Sequence, residues 1–318
     1  MQEPNSSISN FNKFLLKIFL PLIVILSVMA VVFDYFFERK IVMSSQIAGA
    51  YKVNRIVNET HGDEIPVFGS SRADGCFIPD SLGPNYFNYG IIGTRFDVTL
   101  FFIEEECKKR KSHPSLIINV DLEGIFSGIG NVANYVPNSN YEPVRILFGR
   151  QYHSYYRIPL LRNFGLFESY LADYFNDKMQ VTKYSNNGAS LERKVLTAQQ
   201  FKTLVEERQN TSTTFVTEPA LVQRLQNVIA SHPERDFVIV VAPYHSSYFA
   251  KYTNMPVAKQ FFAQLNSFKN VRVLDYSKMS LEDSLYFNTT HLNYKGAAIF
   301  SRQLKDTLLQ IKHKTERA

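Results

Sequence analysis

Val67-Phe68-Gly69-Ser70-Ser71-Arg72-Ala73 is the stretch whose reading decides the fold. An apolar strand, Ile65 to Phe68, runs into small residues, and a hydroxyl stands where the strand ends. In open α/β sheets, ligands bind in the crevice outside the carboxyl ends of the strands. A serine there is exposed, held on a tight turn and close to the backbone N–H groups that open the next helix. That placement suits a nucleophile. It also suits an ordinary Gly-Ser turn, so the flanking sequence has to discriminate.

Outward from this turn, strand and helix patterns alternate. After Ile65–Phe68 come strand candidates at Tyr86–Tyr89, Leu116–Val120, Phe237–Ala242 and Val271–Leu274. They are short apolar runs of the kind buried in parallel sheets. Helical patterns separate them: 97–111, stopped by Pro114; a helix carrying Leu221, Leu225, Val228 and Ile229; 257–268 with Val257, Phe261 and Leu265; and a last helix from Tyr294 with Phe300, Leu304, Leu308 and Ile311 on one face. Thr217 is placed to cap the second of these, with Pro219 in its first turn. Alternating strands and helices argue for an α/β protein with a doubly wound parallel sheet. The stretch 127–215 breaks the alternation and is rich in Tyr, Asn and Phe, as in Tyr152-His153-Ser154-Tyr155-Tyr156. It reads as an insertion between strands three and four. Its place is either a cap at the carboxyl edge of the sheet or a structural extension of the core.

The other end of the chain is apolar in a different way. From Ile18 to Phe33 every residue but Ser27 is apolar or proline, and Tyr35-Phe36-Phe37 extends the run to Glu38-Arg39-Lys40. About 20 apolar residues span a bilayer, and aromatic residues favour its interface. A cleaved signal peptide is the competing reading, but the run is long for one and no small-x-small site follows. Residues 1–40 are therefore expected to be a cytoplasmic tail and transmembrane anchor, 41–60 a stalk, and 61–318 one domain. Short tails before a first anchor usually stay in the cytoplasm, which puts the bulk of the chain on the extracytoplasmic side of a single-pass membrane protein.

Composition excludes several alternatives. Hydrophobic residues make up 45% of 318, enough for a large single core. The net charge of +6 is scattered, and its densest cluster, Lys108 to Lys111, follows Glu104-Glu105-Glu106 at i,i+4 pairing distance. No nucleic-acid motif accompanies it. Two cysteines, Cys76 and Cys107, have no metal spacing. They are either two free buried thiols, the simpler reading, or a single bridge. No Walker loop, G-x-G-x-x-G run or His/Asp/Glu cluster implies a nucleotide or a metal, so no cofactor is expected.

A serine nucleophile needs a base in hydrogen-bond reach, a group that orients the base, and N–H donors aimed at the developing oxyanion. Of seven histidines, His291 stands out. It lies after the last strand and before the last helix, at the same carboxyl edge as Ser71, in Asn288-Thr289-Thr290-His291-Leu292-Asn293 followed by Gly296-Ala297. Three stretches together resemble the SGNH (GDSL-like) hydrolases. Gly69-Ser70-Ser71 is similar to their first block, Asn88-Tyr89-Gly90-Ile91-Ile92-Gly93 to their second, and the segment around His291 to their fifth, normally Asp-x-x-His. The match covers about 61–126 and 236–312. It is nearest in character to the membrane-anchored, extracytoplasmic branch that includes accessory proteins of teichoic-acid D-alanylation and alginate O-acetylation. The resemblance implies a flavodoxin-like sheet in an SGNH-type three-layer sandwich, and ester or acyl-transfer chemistry on an envelope glycan. It further implies an acyl donor and a multi-pass membrane acyltransferase as partners.

Carried over by residue, the resemblance makes Ser71 the nucleophile, His291 the general base and Asn288 its orienter, with the N–H groups of Ser71 and Gly93 in the oxyanion hole. Ser70 is the second choice of nucleophile. Arg72 would hold an anionic substrate or a neighbouring carboxylate, unless it is only a surface arginine on a turn. His245, past another strand end, would line the pocket or serve a turn, and Asp121 is counted with the pocket. Two departures stand out. The third block, which supplies an oxyanion-hole Asn, is replaced by Asn119-Val120-Asp121-Leu122-Glu123-Gly124, where a carboxylate such as Glu123 would repel an oxyanion. The acid of the triad is Asn288 rather than Asp, with Asp283, Glu282 or Asp275 as substitute acids. A triad Asp→Asn change costs about 10⁴ in turnover in a serine protease, through the wrong tautomer. The enzyme reading thus stands beside another: a catalytically silent scaffold or glycan-binding protein that kept the fold.

Overall fold

The five apolar runs form one sheet. The computed structural model of the chain describes residues 11–45, 49–109, 114–128, 167–175, 185–207, 212–250 and 252–315. Strands β1 (Ile65–Phe68), β2 (Tyr86–Asn88), β3 (Ser115–Asn119), β4 (Asp236–Val241) and β5 (Val271–Asp275) stand in the order β2-β1-β3-β4-β5, each pairing parallel. The expected spans hold to within a residue at each end. The helices are α1 (Phe11–Lys40), α2 (Ala50–Asn58), α3 (Ser71–Cys76), α4 (Pro79–Leu82), α5 (Phe96–Cys107) and α6 (Phe167–Phe175). They continue with α7 (Ala198–Glu207), α8 (Pro219–Ser231), α9 (Ser246–Phe249), α10 (Met255–Asn266) and α11 (Tyr294–Thr315).

Successive strand residues point to opposite faces, and the core divides accordingly. Phe68, Leu116, Ile118, Phe237 and Ile239 pack with α2, α5, α8 and α10. Val67, Ile117, Val238 and Val240 pack with α3, α4 and α11. Each such side chain contributes about 1.5–3 kcal/mol by leaving water, and both faces need cover because the strands are apolar on both sides. Strand order reverses at β1, which has β2 on one side and β3 on the other. The carboxyl ends of β1 and β3 therefore border a crevice, and β1 meets β3 in register at Phe68 and Ile118.

Helix α1 is long and apolar enough to cross a membrane, with a mean hydropathy of 2.8 in its most apolar window and none of that window buried. Its last turns touch protein: the Phe37 ring stacks on Phe167 of α6 at 4.7 Å and meets Tyr170 edge-on.

Several expectations need correction. Residues 41–60 are not a stalk throughout, because α2 buries Ala50, Tyr51, Lys52, Val53 and Ile56 and shares a cluster with Phe68 and Leu100. Cys76 and Cys107 are free, buried and packed in clusters on opposite faces of the sheet, which excludes a bridge. Thr217 does not cap α8; it pairs with Ile125 in a two-residue strand, and Glu218 holds the cap position. Among the described residues of the acidic run, Glu105 pairs with Lys108 and Glu106 with Lys109 at i,i+3, and Glu104 reaches Arg224 of α8, while Arg110 and Lys111 lie outside the described residues. Of the insertion 127–215, residues 129–166, 176–184 and 208–211 lie outside the described residues. Within the rest, Phe201 is buried beside Tyr286 and the Ser190 N–H donates to the Asp74 carbonyl at 3.0 Å, while α6 packs on the end of α1.

Candidate active site

Ser71 opens α3 directly after the β1 turn. As the first helical residue it has an N–H without an intrahelical acceptor. Ser70 is the N-cap: its hydroxyl accepts from Arg72 N at 3.2 Å, satisfying one of the orphan donors of α3. The adjacent hydroxyls thus part company. Ser70 Oγ also donates to Asp121 Oδ2 at 2.5 Å, whereas Ser71 Oγ lies 2.9 Å from His291 Nε2. The pair is 220 residues apart in the chain.

His291 is carried on a closed loop. Phe287 N and Asn288 N both donate to the His291 carbonyl, at 2.9 and 3.2 Å. The buried Asn293 fastens the loop to its neighbours: its Nδ2 donates to Ser284 O at 2.7 Å, and its Oδ1 accepts from Lys295 N and Gly296 N at the start of α11. Within the loop, Asn288 Oδ1 accepts from Thr290 N at 2.8 Å, His291 N at 2.9 Å and Thr290 Oγ1 at 2.9 Å. Two backbone N–H groups can face only an oxygen, so they fix which way the amide points. His291 Nδ1 lies 3.2 Å from that same oxygen and 2.9 Å from Thr290 Oγ1. With Thr290 donating its proton to Asn288, both oxygens beside Nδ1 are acceptors. Nδ1 then carries the hydrogen, and Nε2 presents a lone pair to Ser71. The tautomer fault of an Asp→Asn triad is removed by the orientation of Asn288. What an amide still lacks is a charge to offset imidazolium. Thr290 is a site residue that sequence reasoning passed over; its position between Asn288 and His291 was the available signal.

The two side chains open onto a cavity of about 400 Å³ lined by residues from the ends of β1 and β3 and the start of α5. Gly93 is on its wall with φ +76, a conformation that favours glycine. Its N–H makes no hydrogen bond to a described residue. Ser71 N and Gly93 N are thus two donors without acceptors among the described residues at the same cavity, an arrangement able to receive an oxyanion.

Part of the cavity wall is ionic. Asp121 Oδ1 accepts from Asn119 Nδ2 at 2.7 Å and lies 3.3 Å from Arg72 Nε. The Asn119 amide, also fixed by Ala242 N at 3.3 Å, is thereby engaged with a carboxylate. Arg72 is not a surface arginine. It is 2% exposed, lies 3.5 Å over the Tyr244 ring, and donates through Nη2 to the Ala242 and Pro243 carbonyls at 2.8 and 2.9 Å. It holds the neighbouring carboxylate and ties the ends of β1, β3 and β4 together. Burial and the nearby Glu123 charge push the Asp121 carboxyl up to about 6, against the pull of Arg72. Glu123 itself accepts from the phenols of Tyr244 and Tyr248, each at 3.0 Å.

The substitute acids lie elsewhere. Asp283 Oδ1 pairs with His245 Nε2 at 3.1 Å, Asp275 closes a turn by accepting from Ser277 N at 2.8 Å, and Glu282 sits by Ser284 Oγ at 3.4 Å. His245 does not line the cavity with Ser71. It is walled by Phe201 and Tyr286, with ring centroids at 4.9 and 5.2 Å, and its Nδ1 caps α9 by accepting from Ser247 N at 3.2 Å. Among the described residues, no group of three or more His, Cys, Asp or Glu is arranged to hold a metal ion. No protein-family model and no curated protein matches the chain.

Proposed function

We propose that this protein is a membrane-anchored serine esterase or O-acyltransferase of the SGNH (GDSL-like) type, acting on a cell-envelope glycan from the extracytoplasmic side. The observation that carries this reading is the 2.9 Å approach of Ser71 Oγ to His291 Nε2 at a cavity that also presents Gly93. Support for the SGNH assignment comes from the three matching sequence blocks and from the β2-β1-β3-β4-β5 order, which is that of flavodoxin-like sheets.

In the reaction, His291 Nε2 takes the Ser71 proton as Oγ attacks the acyl carbonyl. The Ser71 and Gly93 N–H groups receive the oxyanion, and the leaving alcohol departs with the proton returned from His291. The acyl-Ser71 bond is then broken by a glycan hydroxyl in a transferase or by water in an esterase, with His291 again as base. A multi-pass membrane acyltransferase is the partner that the resemblance proposes, as source or recipient of the acyl group.

A second reading, a silent glycan-binding scaffold, is favoured by one specific observation. The Asn119 amide and the Asp121 carboxyl satisfy each other inside the cavity, where a hydrolase of this type offers a free Asn. A fluorophosphonate probe separates the two. The enzyme labels at Ser71 and the Ser71→Ala protein does not; a wild-type protein that takes up no probe is the scaffold.

A further inference from the structure

We infer that Lys52, on the membrane-proximal helix α2, is a positioning residue that holds the two oxyanion-hole segments in register. The inference rests on the functional reading above and adds a residue that lies outside all three sequence blocks. Lysine is almost never fully buried unless paired, yet Lys52 is 3% exposed. Its Nζ donates to Asp74 Oδ1 at 2.6 Å and to the Gly90 carbonyl. Asp74 belongs to α3, three residues after Ser71. Gly90 begins the loop that ends in Gly93. One ammonium therefore joins a side chain of α3 to the backbone of the loop that ends in Gly93, the two segments whose N–H groups line the cavity.

The grip falls where those backbones touch. A Cβ on Gly90 would lie 2.9 Å from the Ala73 carbonyl carbon and closer still to Asp74 N, so only glycine allows the approach. Asn88 reinforces the same junction, donating from Nδ2 to Ala73 O at 2.7 Å and Phe77 O at 2.9 Å while its Oδ1 accepts from Gly90 N at 2.8 Å. Burial alone works to raise the Asp74 carboxyl pKa, and Lys52 opposes that shift. The ion pair is thus conditional on α2 staying docked. A 1 Å error in a catalytic donor costs about 10²-fold in rate, so a loosened junction would be felt at Ser71 without any change to the reacting groups.

Lys52→Met alone strands a buried carboxylate and risks unfolding the chain, so the informative protein is Lys52→Met/Asp74→Asn, made in the full chain and checked for an unchanged melting temperature. With the fluorophosphonate probe, its maximal inactivation rate is expected to fall at least about tenfold while the half-saturating probe concentration stays put. Amide exchange over 88–95 is expected to speed up by about tenfold or more, with β4 unaffected. A maximal rate within about twofold of wild type overturns the inference. If wild type itself takes no label, the enzyme reading falls, and exchange alone then decides: unchanged protection of 88–95 also removes the positioning role.

Discussion

Among the described residues, two histidines stand past strand ends, and the one with a carboxylate partner is not the one that faces Ser71. His245 has a serine hydroxyl at 2.7 Å and a carboxylate at 3.1 Å, the full cast of a triad. Yet its Nδ1 accepts from Ser247 N as a helix cap, and Nε2–H is turned to Asp283. No lone pair is left for a proton transfer, and the ring does not line the cavity. His291 leans on an amide and a threonine, but its Nε2 lone pair faces Ser71 beside the Gly93 N–H. The contrast teaches that residue types do not define a catalytic site. What defines it is which nitrogen keeps a free lone pair, and whether oxyanion donors stand next to it.

The largest effect expected from this contrast is at the bases themselves. His291→Ala should slow Ser71 phosphonylation by about 10²–10⁴, the range for a general base, whereas His245→Ala should leave the rate within about threefold. Equal losses at both positions would break the distinction. Asn288→Asp sharpens it. A carboxylate supplies the charge that the amide lacks, so the labelling rate should rise about tenfold to a hundredfold. That is well short of the 10⁴ of a triad whose tautomer is also wrong. The apparent pKa of the rate profile should move upward, since an adjacent carboxylate favours imidazolium. Asp283→Asn, the matching change beside His245, should do neither.

The smallest effect concerns stability. The folded Asp121 carboxyl, at about 6 against an ordinary 3.8, holds its proton more tightly than the unfolded chain does. Its contribution is therefore most favourable to the folded state below pH 3.8 and is lost as pH rises through about 6. Thermal melts of Asp121→Asn between these limits should fall less with rising pH than those of wild type. A melting temperature that changes with pH over that interval by the same amount in Asp121→Asn as in wild type would count against the Asp121 assignment.

Much of the fold was legible because its strands are buried on both faces, which leaves short apolar runs such as Leu116-Ile117-Ile118 with no other reading. The Ser71–His291 pairing was legible for a topological reason: both residues follow strands of one parallel sheet and must emerge on the same edge. Lys52 was not. A lysine in a polar-looking segment reads as solvated, and its burial depends on Asp74 and Gly90, which only the folded chain brings to it. The Asp121 cluster was hidden in the same way, since Ser70, Arg72 and Asn119 each have a local role that accounts for them. Asn288 was visible as a missing charge, but the direction of its amide is set by two backbone N–H groups whose positions no residue pattern reveals.

The acyl-Ser71 intermediate is the central claim, and it can be trapped. The full-length protein is mixed with p-nitrophenyl acetate, quenched in acid within the first turnover, digested and analysed by mass spectrometry. An acetyl group on the peptide that holds Ser71, assigned to Ser71 by fragmentation and absent from Ser71→Ala and His291→Ala, is the predicted result. Acetylation that maps to Ser70 or Ser247, or a Ser71 peptide that stays unmodified, would contradict it.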